Sequence, residues 1–320
     1  MSFLGALLLL AQGVSGAAVD ADLSHGSVGT SARFSHDTTI GSRFEPPDDW
    51  DEIVIGADVT ITGSIAIPET RSRPLIIRGE DRKTSVLKGT GTYDHIQQRN
   101  AFARSHSAIT SLSLAPLTIR DLTSRDPDKF NFVGRGPLLA ERVDIVDTRK
   151  AYTTDGIGGG RGTRVDDARI DTYDDSLKVY SPDMTFDNVT ITMNRNGAPI
   201  QLGWGTERGS ATIRNLTVIA NSPTLYNQGI IARANKKAGV GPLESTLVIE
   251  GLKVIVPEGM ARPKLFQFGT RSGLEVDDYK VTVTGLCSGA MPAYWNRAAV
   301  DAETEVLQGG AVEIVTPDCR

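Results

Sequence analysis

Cysteine is nearly absent: Cys287 and Cys319 are the only two in 320 residues. Neither lies among histidines or carboxylates at a metal-ligand spacing, so no zinc site, and no metal or other cofactor, is expected. Two cysteines near the C-terminus also exclude a disulfide framework. In an exported chain they are expected to form one bridge that closes a C-terminal loop. Histidine is scarce too: His25, His36, His95 and His106 all precede residue 110 and form no motif, which leaves nothing for a Ser-His-Asp triad. No stretch between the apolar segments carries the helical period of 3.6, which disfavours alternating strand–helix units. A basic excess is also missing. With a net charge of −5 and a pI of about 5.5, the chain is not expected to bind nucleic acid, whereas a neutral ligand is not repelled.

Long hydrophobic runs are lacking as well. The run Phe3–Ala11 is far too short to cross a bilayer as a helix, so no membrane span is expected. Ser15 and Ala17 follow it at the −3 and −1 spacing that signal peptidase accepts, although the basic n-region is missing. Residues 1–17 are therefore read as a signal peptide and the protein as secreted.

What the chain does contain is glycine, at 33 residues, and many short apolar segments with alternating residues. Examples are Leu117-Thr-Ile119-Arg-Asp121-Leu122, Met184-Thr-Phe186-Asp-Asn188-Val189-Thr-Ile191, Ala211-Thr-Ile213-Arg-Asn215-Leu216-Thr-Val218 and Leu247-Val-Ile249-Glu-Gly251-Leu252-Lys-Val254. Each is a strand, then a polar residue, then a corner residue, then a second strand. Such a corner needs left-handed backbone, which Gly, Asn and Asp tolerate best. From Asp121 the corners recur near Arg142, Asp167, Asn188, Asn215, Gly251 and Asp278, at spacings of 21, 25, 21, 27, 36 and 27 residues. A repeat of that length built from short strands predicts a solenoid. The expected fold is all-β: a right-handed parallel β-helix, a single-stranded solenoid of the pectin-lyase-like class. Coils are expected over 53–284, after an N-terminal arm over 18–52 whose Ser-, Gly- and Thr-rich residues read as loop. A C-terminal cap over 285–320 holds the two cysteines. Asn188-Val-Thr190 and Asn215-Leu-Thr217 match the N-glycosylation pattern, but both asparagines fall at corners, where stacking accounts for them.

Polar chemistry is concentrated between Tyr152 and Trp204. Asp155-Gly156 is followed 19 residues later by Asp174-Asp175-Ser-Leu-Lys178-Val-Tyr180, and then by Asn196-Gly197-Ala-Pro199-Ile200-Gln201-Leu-Gly203-Trp204. A separation of 19 is close to one coil and would stack Asp155 beside Asp174. Carboxylates crowded in this way cannot all ionise comfortably, so one keeps its proton near neutrality. Glycoside hydrolysis needs that asymmetry: a protonated acid for the leaving oxygen and an ionised partner to activate water. Against this stands the ordinary reading of an Asp-Asp pair as a solvated turn. Lys178 could hold a partner ionised. Tyr173, Lys178, Tyr180, Asn196, Gln201 and Trp204 are the candidate substrate-binding residues. Gly158-Gly-Gly160-Arg161-Gly162 lacks the Lys-Ser/Thr of a phosphate-binding loop and reads as a flexible turn beside the site.

These motifs resemble glycoside hydrolase family 49, which contains dextranases and isopullulanase. The resemblance spans roughly residues 52–235 and is densest over 150–205. It implies a parallel β-helix that inverts the anomeric centre of an α-glucan, with Asp174 as general acid and Asp155 or Asp175 as base. The family's N-terminal β-sandwich has no counterpart ahead of the first coil. The His-Gly and Arg-Ile-Lys signatures of polygalacturonases are missing downstream of the aspartates. The expected partner is a polysaccharide, and a monomer is expected. Two other readings stay open: a lyase or epimerase on uronic acid polymers, and a non-catalytic carbohydrate-binding or adhesin-type β-helix.

Overall fold

A triplet of apolar, polar and apolar residues that ends in a left-handed corner does not fold back as a hairpin. It turns the chain so that the next strand can stack on the preceding coil. The computed structural model describes residues 21–26, 29–91, 107–150, 154–202, 208–225, 229–233, 245–267, 279–287 and 311–315. Among them there is no helix, and so none long and apolar enough to cross a membrane. Strand pairs with a defined register are parallel throughout, as in Leu117–Arg120 with Leu138–Val146 and Ser210–Ala220 with Ser245–Ile255. The exception is Asp22–Gly26, which runs antiparallel to Gly29–Phe34. The chain is a parallel β-helix, as expected, and divides into two units, residues 1–148 and 149–320.

Within each unit the inward residues form ladders. In the first, Ile53, Ile77, Ile119 and Ala140 stack in register and are fully buried. In the second, Val165, Phe186, Ile213 and Ile249 do the same, as do Ile157, Leu177, Ile200 and Ile231. Each buried Ile, Leu or Phe contributes roughly 1.5–3 kcal/mol.

The corners take the left-handed conformation foreseen for them. Asp121 and Arg142 have φ of 56° and 51°, and Asp167, Asn188 and Asn215 have 50°, 55° and 53°, with Gly251 at 86°. Left-handed backbone costs a non-glycine residue about 1–2 kcal/mol. Bonds between successive corners offset this: Arg142 holds Asp121 through two nitrogens at 2.6 and 3.0 Å, and Asn215 Nδ2 donates to Asn188 Oδ1 at 3.1 Å. Asn188 Nδ2 in turn donates to Asp166 Oδ1 at 2.9 Å. The amides of both sequon asparagines are therefore engaged in corner stacking.

The stretch 18–50, read as loop, carries the strands Asp22–Gly26, Gly29–Phe34 and Thr38–Phe44. Gly29–Phe34 alternates half-buried and buried, with Thr30, Ala32 and Phe34 inward, and pairs in parallel with Trp50–Ile55. Small and polar residues hid this alternation, because Thr and Ala stand where Ile and Val stand later. At the other end, Ala311–Val315 pairs in parallel with Tyr279–Cys287, so stacking continues into the segment expected as a cap. The signal peptide, the corner at Asp278, and Cys319 lie outside the described residues, as does the side chain of Cys287; the disulfide therefore does too.

Candidate active site

The site lies wholly in the second unit and grows from three stacked strands, Ile157–Gly158, Leu177–Val179 and Ile200–Leu202. Their register aligns Ile157 with Leu177 and Leu177 with Ile200 on the inward side. Alternation then turns Lys178, aligned with Gln201, to the opposite face. Gly158 stands one residue after Ile157, and a Cβ there would meet Lys178 Cβ at 3.3 Å. The absent side chain leaves room for the alkyl stem of Lys178.

Adjacent residues on a regular strand point to opposite faces. Asp174 and Asp175 escape this because the chain bends at Tyr173–Asp174, between the strands Arg164–Asp171 and Leu177–Val179. Asp155, just before Ile157–Gly158, comes from the preceding coil. One carboxylate oxygen from each of Asp155, Asp174 and Asp175 lies within 4.8 Å of the others. Among the described residues this trio is the group close enough to hold a metal ion, but the chain supplies its own cation. Lys178 Nζ is 2.7 Å from Asp155 Oδ2 and 3.4 Å from Asp175 Oδ2, and donates to Tyr180 Oη at 3.1 Å. An ammonium has three donors, and three acceptors surround this one.

Burial, then Asp155 and Asp175, push the Asp174 carboxyl well above the usual aspartate range. Lys178, and after it the N–H of Asp175, which donates to Asp174 Oδ1 at 3.0 Å, oppose that rise without cancelling it. Burial disfavours the charge on Lys178, but Asp155, Tyr180, Asp175 and Asp174 outweigh it and raise the ammonium above the usual lysine range. Burial also raises the Tyr180 phenol, which stays protonated and donates to Gln201 Oε1 at 3.3 Å. The result is one carboxyl inclined to keep a proton beside two that are ion-paired to a fixed ammonium. That arrangement can donate a proton at one point and accept one at another.

The next coil closes the site from the other side. The N–H of Ala198 donates to Asp175 Oδ1 at 3.0 Å, and Gly197 lies against the backbone of Asp174. A Cβ at 197 would fall 2.0 Å from Asp174 C and O and 2.6 Å from its Cα. Backbone cannot yield as a flexible side chain does, so Gly197→Ala must displace the bend that carries Asp174. We expect a loss of about 1–3 kcal/mol of stability and about 100-fold in kcat, the usual penalty for displacing a reacting group by an ångström. Thermal unfolding checks the first, and steady-state kinetics on whichever polysaccharide the chain is found to cleave checks the second.

Of the residues singled out in the sequence, Asp155, Asp174, Asp175, Lys178, Tyr180 and Gln201 come together. Tyr173 sits in the bend beside Asp174, and Asn196 is half-buried next to Gly197. Trp204 lies outside the described residues. Arg161 is elsewhere, in an exposed ion pair with Asp183 at 2.5 Å, and Gly158 of the glycine-rich segment belongs to a strand rather than to a flexible turn. The sequence reading missed Thr154 and Asn194, which bond the bend from neighbouring coils, Thr172, which bonds within it, and the steric roles of Gly158 and Gly197. Small polar residues at coil ends carry no motif that marks them.

Fold and site together define a parallel β-helix that brings three carboxylates from two neighbouring coils together, two of them bridged by a lysine. No protein-family model matches the chain. Over 111 residues it is 32% identical to a dextranase of Arthrobacter sp. (strain CB-8) and 29% identical to a dextranase of Arthrobacter globiformis. Each match covers 33% of this chain and 17% of the relative, so the chain spans about a sixth of the length of these dextranases.

Proposed function

We propose that the protein is a secreted glycoside hydrolase that cleaves a neutral polysaccharide, an α-glucan of the dextran type, as in family 49. Asp174 is the general acid, and Asp155 or Asp175 activates the attacking water. The observation that carries this reading is the unequal state of three carboxyls within 4.8 Å: Asp174 is raised by burial and by its neighbours, while Lys178 bridges Asp155 and Asp175. A site that donates and accepts protons at adjacent points suits acetal cleavage. The similarity to dextranases supports the substrate class, and the acidic site disfavours a polyuronate. Tyr173, Asn196, Gln201 and Trp204 are proposed to contact the sugar. Lys178, its donors directed to protein acceptors, acts on the carboxyls.

Inversion is proposed from the resemblance. Usual inverting pairs stand roughly 6.5–9.5 Å apart and retaining pairs roughly 5–5.5 Å. Single oxygens of the three carboxylates lie within 4.8 Å of one another, and this closeness admits, as a second reading, direct attack by a carboxylate with retention. The anomer first released, read by proton NMR, separates the two.

The deciding experiment incubates the purified chain with dextran, pullulan, starch, polygalacturonate and alginate, and measures new reducing ends and unsaturated products. Reducing ends from dextran or another α-glucan, without absorbance from unsaturated sugars, are expected. Unsaturated products from an acidic polymer would make it a lyase. If no polymer is cut, the carbohydrate-binding reading takes the place of the hydrolase.

A further inference from the structure

The bend that presents Asp174 raises an accounting question: where do its backbone groups find partners? Strand stacking satisfies part of it. Gly156 N donates to Asp175 O at 2.8 Å, Ile157 N to Ser176 O at 2.8 Å, and Ser176 N to Ala198 O at 3.0 Å. The N–H of Tyr173 and the carbonyl of Thr172 fall outside this ladder, and side chains take them up. Thr154 Oγ1 accepts Tyr173 N–H at 3.2 Å. Asn194 Nδ2 donates to Thr172 O at 2.6 Å and to Asp171 Oδ1 at 2.8 Å. Thr154 is fully buried and Asn194 nearly so.

We infer that Thr154 and Asn194 are positioning residues: they fasten the bend to the coils on either side and so hold Asp174 against Asp155 and Asp175. Thr154 directly precedes Asp155, and Tyr173 directly precedes Asp174. One hydrogen bond therefore joins the neighbours of the two carboxylates across a coil. From the other side Asn221 Nδ2 donates to Asn194 Oδ1 at 2.9 Å, which orients the Asn194 amide. Lys150 ion-pairs with Asp171, the second acceptor of that amide. Thr172 passes the restraint on, because its Oγ1 donates to Asp174 O at 2.8 Å. An unpaired buried N–H or carbonyl is costly. Removing either anchor leaves such a group at the bend and lets the chain relax toward water, away from Asp155 and Asp175.

The inference rests on the reading of Asp174 as the acid, but it has a readout that needs no substrate. Among the described residues, the charged groups acting on Asp174 are Asp155, Asp175 and Lys178, with Tyr180 on Lys178, and Asp171 and Lys150 behind the bend. Carbon-13 NMR of aspartate carboxyls in the full chain follows the Asp174 midpoint directly, with Asp174→Asn to assign the signal. In Thr154→Val, which keeps the shape but lacks the acceptor, the Asp174 midpoint is expected to fall by about one pH unit or more toward the usual aspartate value. Thr154→Ser, which restores the oxygen, is expected to return it. Asn194→Leu, acting from the opposite coil, is expected to lower it as well and serves as the test if Thr154→Val does not fold. In the kinetic arm, Thr154→Val is expected to lower kcat by about 10- to 100-fold, with KM within about twofold and Thr154→Ser restoring turnover. An Asp174 midpoint unmoved in Thr154→Val and Asn194→Leu, or one that Thr154→Ser fails to restore, overturns the inference. A shifted midpoint in a protein that cuts no polymer upholds the positioning role and removes the hydrolase reading instead.

Discussion

Asp174→Asn is expected to lower kcat on the cleaved polysaccharide by about 100- to 10,000-fold, the usual contribution of a general acid, without loss of folded stability at neutral pH. Asparagine has nearly the same shape but no proton to give the leaving oxygen. The stability half follows from linkage. Folding raises the Asp174 pKa above its ordinary value of 3.8, so the native chain binds this proton more tightly than the unfolded chain does. The stabilisation is complete below about pH 3.8 and is lost as the pH climbs through the raised value; at higher pH the crowded charge opposes folding. Asparagine removes that opposition. Its Tm at pH 7 is therefore expected to equal or exceed that of the wild type, and its Tm–pH curve to be flatter above pH 4. Steady-state kinetics and circular dichroism melts from pH 4 to 8 give both readings. Undiminished turnover would remove Asp174 from the chemistry, and a collapse in Tm would make it a structural residue.

Lys178→Met is expected to be the costliest single change at the site for stability, at about 3–5 kcal/mol near pH 7, the usual penalty for removing one member of a buried ion pair. The lysine side chain is 12% exposed, and those of Asp155 and Asp175 are 8% and 9% exposed, so water cannot take over its role. The ammonium pKa is raised in the folded state above its ordinary 10.5. The stability that Lys178 contributes is thus fully present below about pH 10.5 and is lost only as the pH rises through the raised value. Between pH 5 and 9 the whole contribution is at stake. Urea unfolding of Lys178→Met and Lys178→Arg at pH 7 tests this: an equal loss in both would mean that the packing of the lysine stem, and not its charge, is what it supplies.

How far the molecule could be read beforehand differs from element to element. The corners were legible individually: Asp121, Arg142, Asp167, Asn188 and Asn215 all adopt positive φ, and the pattern that marks them is local, a polar residue between two short apolar triplets. The ladders followed from alternation, since Ile213 and Ile249 fall in register once the corners are aligned. The strands before residue 50 were not legible, because Thr30 and Ala32 carry too little hydrophobic contrast for alternation to stand out, although both are buried.

At the site, residue type and spacing were enough to nominate Asp155, Asp174 and Asp175, because a separation near one coil is a property of the repeat itself. The sequence alone thus determined a stacked-strand scaffold and a set of acids on neighbouring coils, since both depend on periodicity along the chain. It could not determine that the chain bends at Tyr173–Asp174 so that adjacent carboxyls converge, nor that Lys178 turns across Gly158 to Asp155. It also could not show that Thr154 and Asn194 fasten the bend. Those outcomes depend on which side chains different coils bring within hydrogen-bonding distance, and such distances, with the burial that makes them count, exist only once the coils have stacked.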